Sequence, residues 1–289
     1  MGLYSNIAFR LFGPLSETLA YYLADIRSDL KKARLKVSVQ EYLSEMLLTT
    51  SLFFAVSTPI LAFVLAYLIK EFLFAFITSF TISIVFSVII FTLFLNWPKF
   101  IMKGRAKEIE DSLPFASLYI ATVAGSRLPL FKTFEIFAKY STYGEITKEV
   151  GDMVNDIKSF GLDLNTAIER QMERTPSKKF TELLWGILSV IRAGADVAVY
   201  LKEKSNTAMA DYRRKITEFS RTLTLYIELY LTAIVLGTIF FTILTSIIAG
   251  IGGAQGNVIF LQFMLIFILL PVVSIVFIFL IKSATPGGE

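Results

Sequence analysis

Four long, uncharged apolar runs leave this chain one environment for much of its length. They are "LLTTSLFFAVSTPILAFVLAYLI" (47–69), "FLFAFITSFTISIVFSVIIFTLFLNW" (72–97), "LYLTAIVLGTIFFTILTSIIAGI" (229–251) and "VIFLQFMLIFILLPVVSIVFIFLI" (258–281). A helix rises 1.5 Å per residue and the hydrocarbon core of a bilayer is about 30 Å thick, so roughly 20 apolar residues span it. Each run is long enough. The first two form a hairpin around Lys70 and Glu71, and the last two form another around the uncharged "GGAQGN". Pro59 and Pro271 fall inside spans, where a kink or a packing contact is expected rather than a gate.

The rest of the chain is not membrane sequence. With 55% hydrophobic residues it is too apolar for a soluble domain, and with 18% charged residues it is too polar to lie in lipid throughout. There is no cysteine and no histidine. Their absence removes disulfides, thiolate nucleophiles, the usual zinc and haem ligands and the commonest general base at neutral pH. The sequence also lacks a Gly-x-x-x-x-Gly-Lys-Ser/Thr phosphate loop, a His-Glu-x-x-His helix and a Ser/His/Asp set. No enzymatic activity, catalytic residue, cofactor or metal site is expected. The first twenty residues hold Arg10, Pro14 and Glu17 and no sustained apolar run, so no cleavable signal peptide is expected there.

Lysine and arginine set the orientation, because they stay on the cytoplasmic side. Only Lys70 lies in a loop that faces outside when the N-terminus is inside. The opposite orientation would carry Lys31, Lys32, Arg34 and Lys36, and Lys99, Lys103, Arg105 and Lys107, across the membrane. Both termini and the long segment 98–224 are therefore expected in the cytoplasm of a multi-pass plasma (inner) membrane protein. Segment 98–224 carries 20 Lys/Arg and 16 Asp/Glu, an excess equal to the +4 of the whole chain. The positive-inside rule and an anionic leaflet account for it. No nucleic-acid-reading motif accompanies it, so nucleic acid is not an expected partner.

Within 98–224 apolar residues recur at helical spacing, as in Leu113, Ala116, Ile120, Val123 and Ala124, and period-two alternation is absent. Breaks at "AGSRLP", "STYGE", "SFGLD", "RTPSKK" and "RAGAD" divide it into about six helices, joined by turns short enough to make neighbours antiparallel. Two of the breaks share one grammar: Gly161-Leu162-Asp163-Leu164 and Gly194-Ala195-Asp196-Val197, with Gly125-Ser126-Arg127-Leu128 a looser version. Glycine can end a helix in the left-handed conformation and an aspartate two residues on can cap the next. Residues 16–43, with Leu19, Tyr22, Leu23, Ile26 and Leu30 at helical spacing, read as an amphipathic helix on the inner leaflet or packed on the bundle. The expected fold is all-α and polytopic: a cytoplasmic amphipathic segment (1–46), a transmembrane hairpin (47–97), a cytoplasmic antiparallel bundle of about six helices (98–224), a second hairpin (225–282) and a short cytoplasmic tail (283–289).

"EIEDSLPFASLYIATVAGSRLPLFKTFEIFAKY", "DIKSFGLDLNTAIERQMER" and "SVIRAGADVAVYLKEKS" together resemble the cytoplasmic domain of the type II secretion system F-domain family. These are platform proteins of type IV pilus, type II secretion, tight-adherence pilus and archaellum machines. The resemblance covers roughly residues 105–245 and is to an archaeal style of member. It implies that Leu113-Pro114 opens the first helix of the domain and that Gly125, Gly161 and Gly194 are its corners, with Asp163 and Asp196 beside them. It also implies a function without chemistry of its own: a membrane platform coupling a hexameric secretion ATPase to pilin-like subunits drawn from the lipid bilayer into a filament. The chain has one copy of the domain where the two-copy secretion platform repeats it, which implies a homodimer or a paralogous platform chain as partner.

On that reading the candidate ATPase contacts are Lys202, Lys204, Arg213, Arg214 and Lys215, on the helix leading to the third span, with Lys99, Lys103, Arg105 and Lys107 as a second group. Anchoring at anionic headgroups is the alternative role for both groups. Glu228, directly before the third apolar run, is the candidate pilin contact, a lipid-edge carboxylate being the alternative. The competing functional reading is a subunit of a transporter or channel, against which stand spans with almost no ionisable residues.

Overall fold

The computed structural model describes residues 3–69, 71–252, 260 and 262–284. Lys70, the "GGAQGN" turn beyond its first glycine and residues 285–289 of the tail lie outside the described residues. The described chain is helical, with no strand. The helices are α1 (Leu3–Tyr22), α2 (Ala24–Lys32), α3 (Val39–Ile69), α4 (Phe72–Ala124), α5 (Leu130–Tyr140), α6 (Glu145–Phe160), α7 (Leu164–Arg174), α8 (Lys178–Arg192) and α9 (Val197–Leu229). A π-helical segment (Tyr230–Leu236), α10 (Gly237–Gly252), a π turn (Leu265–Leu269) and α11 (Leu270–Ala284) complete the chain.

Among the described residues, four helical stretches are long and apolar enough to cross a membrane: Val39–Leu68, Phe72–Ala124, Val197–Ile248 and Gln262–Lys282. The chain divides into two compact units, Met1–Ser112 with Pro129–Val197 and Leu113–Leu128 with Ala198–Glu289.

In the first unit, α3 starts at a capping box. The Ser38 hydroxyl accepts from the Glu41 backbone N–H (3.1 Å) and the Glu41 carboxylate accepts from the Ser38 N–H (3.4 Å). Glu41 also accepts from the Ser5 hydroxyl of α1 at 2.7 Å, so one carboxylate starts α3 and holds α1 against it. A cluster of Ile26, Leu30, Tyr42, Leu43 and Met46, with Phe91, Phe94 and Leu95 packed on it, ties α2, α3 and α4 together. The Tyr42 hydroxyl donates to the Phe94 carbonyl (2.7 Å), which is part of the same seam. Further along α4, Ala75, Ser79, Ser83 and Ser87 repeat every four residues and are buried, while Phe76, Phe80, Ile84 and Val88 are exposed. This is the inside-out pattern of a lipid-exposed helix, where small residues let backbones approach and large apolar ones face the solvent hydrocarbon.

Helices α5 to α8 pack consecutively, α5 on α6, α6 on α7 and α7 on α8. Their core is Phe134 and Phe137, Ile146, Val150 and Met153, Ala167 and Ile168, and Phe180, Leu183, Leu184 and Ile187, which line one face of each helix. Ser177 caps α8 by accepting from the Phe180 N–H at 3.2 Å.

In the second unit, the Tyr230 hydroxyl and the Ser274 hydroxyl are 3.0 Å apart, and the Gln262 amide donates to Thr245 Oγ1 (2.9 Å) and Ser246 Oγ (3.1 Å). Such hydrogen bonds fix the register of two spanning helices where no water competes. Pro271 explains the π turn before it: it has no N–H for the Phe267 carbonyl, and its ring pushes that turn wide.

Candidate functional site

The polar helix of the first unit that most needs explaining is α6. Its Glu145, Glu149, Asp152 and Asp156 fall four, three and four residues apart and so share one stripe, and Glu145, Glu149 and Asp156 are buried. Unpaired carboxylates there would cost several kcal/mol each. Arginines from three other elements meet them. Arg105 of α4 reaches Glu145 with Nε (2.8 Å) and Glu149 with Nη2 (2.6 Å), and donates to the Lys32 carbonyl. Arg34 approaches Glu149 (3.3 Å) and Glu145 (3.8 Å) and pairs with Asp152. Arg174 and Arg170 of α7 take Asp156 at 2.8 and 3.7 Å, and the Gln171 amide donates to Glu149.

Burial is the largest influence on Glu149 and pushes its carboxyl up, against the pull of Arg34 and Arg105. Burial acts on Glu145 too, but hydrogen bonds from Lys148 and Arg105 outweigh it and hold that carboxyl below the usual range. The α6 N-terminus is completed from α4: the Glu145 N–H donates to Glu108 at 3.0 Å. Gly144 precedes it at φ 66°, a backbone conformation that side-chain-bearing residues rarely adopt, and a Cβ there would also push the Glu108 carboxylate aside.

Arg34 holds a backbone conformation that arginine rarely adopts, φ 57°. It ends α2 in a Schellman motif, with Arg34 N–H on the Lys31 carbonyl and Leu35 N–H on the Leu30 carbonyl, both 3.1 Å. Gly194 occupies the equivalent left-handed position after α8, with the same bond pattern from Gly194 and Ala195. Arginine stands in place of glycine at the turn whose side chain reaches the α6 acids.

In the second unit, α9 carries a group of basic residues. Lys202, Lys204, Arg213, Arg214 and Lys215 are all exposed, and Arg214 makes a solvent-exposed pair with Asp211 at 3.6 Å. Tyr212 turns the other way and meets Phe115 of α4 edge-to-face, with ring centroids 5.0 Å apart. Glu228 is exposed on the last turn of α9, two residues before the π-helical segment. Helical structure runs without a break from Val197 to Ile248.

Residues 116–245, which take in the end of α4, all of α5 to α9 and most of the third span, match the family model described as type II secretion system (T2SS), protein F. Over those residues the chain is similar to the type II secretion system F domain. An uncharacterised protein of Methanocaldococcus jannaschii is 26% identical over 145 residues, which is 50% of this chain and 24% of that protein. The chain thus spans about a quarter of the length of the curated relative it matches. No solved structure matches it.

The F domain sorts the residues singled out in the sequence. Gly161 ends α6 at φ 67°, and Asp163 is the N-cap of α7, accepting from the N–H groups of Asn165 (3.1 Å) and Thr166 (3.2 Å). Gly194 is left-handed, and Asp196 directly precedes the first residue of α9. At the Gly125 corner the left-handed residue is Arg127 (φ 60°), not the glycine. One expectation is corrected outright: Leu113-Pro114 does not open a helix but lies inside α4, which continues to Ala124. Proline forfeits one backbone hydrogen bond there, and the helix runs on because residues on both sides of it, Ile109, Ala116, Ser117 and Ile120, are buried. The basic group at 99–107 also splits. Lys99, Lys103 and Lys107 are exposed at four-residue spacing, whereas Arg105 faces the α6 acids. Sequence reading missed that role; its signal was the acidic repeat on α6, which calls for buried cations from elsewhere.

Proposed function

We propose that this chain is the non-enzymatic membrane platform of a type IV pilus-like filament or secretion machine. It couples a cytoplasmic hexameric ATPase to the assembly of pilin-like subunits. Segment 98–224 and both termini lie in the cytoplasm of the plasma membrane, and a second copy or a paralogous chain supplies the other half of the platform. The observation that carries the reading is α9: within the matched segment, one helical run bears exposed basic residues at 202–215 and continues as the third span. A motor that docks on those residues grips a membrane helix directly. Docking is charge-assisted, to an acidic surface of the ATPase. Glu228, at the end of α9, meets the pilin subunit near the lipid edge.

The test is affinity purification of the tagged full chain from its native membranes in mild detergent, with mass spectrometry of what accompanies it. A secretion-type ATPase is expected, with recovery strongly reduced by Arg213→Glu, Arg214→Glu and Lys215→Glu together. Recovery of a solute-binding protein or transport subunits and no ATPase would overturn the reading. Glu228→Gln is expected to abolish filament assembly while leaving ATPase recovery unchanged; assembly by that variant would remove the pilin role from Glu228.

A further inference from the structure

We infer that α1 lies in the membrane interface beside α3, with one flank in lipid, as a fifth membrane-associated helix. A helix packed on protein in water buries its large apolar residues and exposes its small polar ones. In α1 the pattern is reversed. Ser5, Ala8 and Ser16 are buried, at 7%, 0% and 0% exposure, while Ile7, Leu11 and Leu15 are 51%, 64% and 58% exposed. The same inversion marks α4 along Ala75, Ser79, Ser83 and Ser87, where the helix is apolar enough to cross a bilayer.

The exposed half of α1 is itself divided. Tyr4, Ile7, Leu11 and Leu15, three and four residues apart, form an apolar flank, and Asn6, Arg10 and Glu17 form a polar one. Phe9 sits at the far edge of the face turned to α3. Two flanks of opposite character on one exposed surface fit a boundary between hydrocarbon and water, not either phase alone.

Position agrees with pattern. The Tyr4 and Thr49 hydroxyls are 2.6 Å apart, and Thr49 lies just inside the apolar run of α3 that begins at residue 47. Ser5 bonds Glu41, ahead of that run. The start of α1 is therefore level with the place where the apolar run of α3 begins, and beyond it Leu52, Phe53 and Val56 of α3 are exposed. At the other end Tyr21 and Tyr22 are exposed, the residue type that collects at headgroup level, before the polar α2 begins. The occupant of the apolar flank is the acyl region of the adjoining leaflet.

The chain has no cysteine, so single-cysteine variants need no background removal. Leu11→Cys, Leu15→Cys, Asn6→Cys and Glu17→Cys are labelled with a small fluorophore. The full chain is then reconstituted in liposomes of phosphatidylcholine and phosphatidylglycerol containing a nitroxide-bearing lipid. Labels at 11 and 15 are expected to be quenched several-fold more by the lipid nitroxide than labels at 6 and 17, and the order is expected to reverse with aqueous iodide. Equal iodide quenching at all four positions would place the apolar flank in water and overturn the inference. Protection of 11 and 15 from both quenchers would put a protein segment or a second copy on that flank, and would overturn it equally. A melting temperature equal to the parent's confirms that each variant is folded before it is scored.

Discussion

Arg34 keeps a left-handed backbone that costs a non-glycine residue roughly 1–2 kcal/mol, and its guanidinium pairs with acids of α6. The two effects separate by mutation. Arg34→Gly and Arg34→Ala both lose the ion pairs, but glycine relieves the backbone, so the Ala variant is expected to be the less stable by about 1 kcal/mol in thermal or denaturant melts. Arg105 is a different case, because its side chain and that of Glu149 are nearly out of water. Arg105→Met leaves Glu149 with a partner missing and is expected to destabilise by about 3–5 kcal/mol. Lys103→Met, on the exposed side of the same helix, should stay within about 0.5 kcal/mol. Glu135 gives the pH dependence. Hydrogen bonds from Lys132 and Lys158 lower its carboxyl from 4.5 to about 2. The native state therefore binds that proton less readily than the unfolded chain. Its contribution is present above 4.5 and disappears as pH falls through about 2. The melting-temperature difference between the parent and Glu135→Gln is expected to shrink over that window and vanish at its lower end.

Among the elements, what the sequence made legible was whatever recurs with helical period. The spans, the breaks and the alternation of apolar positions on α5 to α8 could all be read directly. The α6 stripe is not legible in the sequence, because charges at helical spacing are ordinarily a solvated face. Four acids at four-, three- and four-residue spacing mark a buried face only once Arg34 and Arg105, distant in sequence, are known to arrive there. Leu113-Pro114 misled for the complementary reason: proline disfavours a helix interior locally, and tertiary burial on both sides overrode it. The starts of two helices supply a test. Ser38→Ala removes half of a capping box and is expected to cost about 1 kcal/mol. Gly144→Ala forces a Cβ onto the carboxylate that caps α6 and is expected to be worse than Gly151→Ala, where nothing lies within 4 Å. Thermal melts of the three variants in one detergent rank them.

For the molecule as a whole, the exposed basic residues of α9 and the α6 ion pairs should respond differently to salt. Exposed charges are screened beyond a Debye length and buried pairs far less. High ionic strength is expected to strip a docked motor from the platform while leaving the melting temperature nearly unchanged; equal loss of both would place the motor contact elsewhere. Helix α4 carries a consequence of its own. Its 53 residues make a rod roughly 80 Å long, against hydrocarbon about 30 Å thick, so about half of it stands clear of the lipid. The bilayer then serves as a fulcrum and the polar half as a lever arm: a tilt of a few degrees, which lipid accommodates readily, sweeps Ala124 sideways by several ångströms.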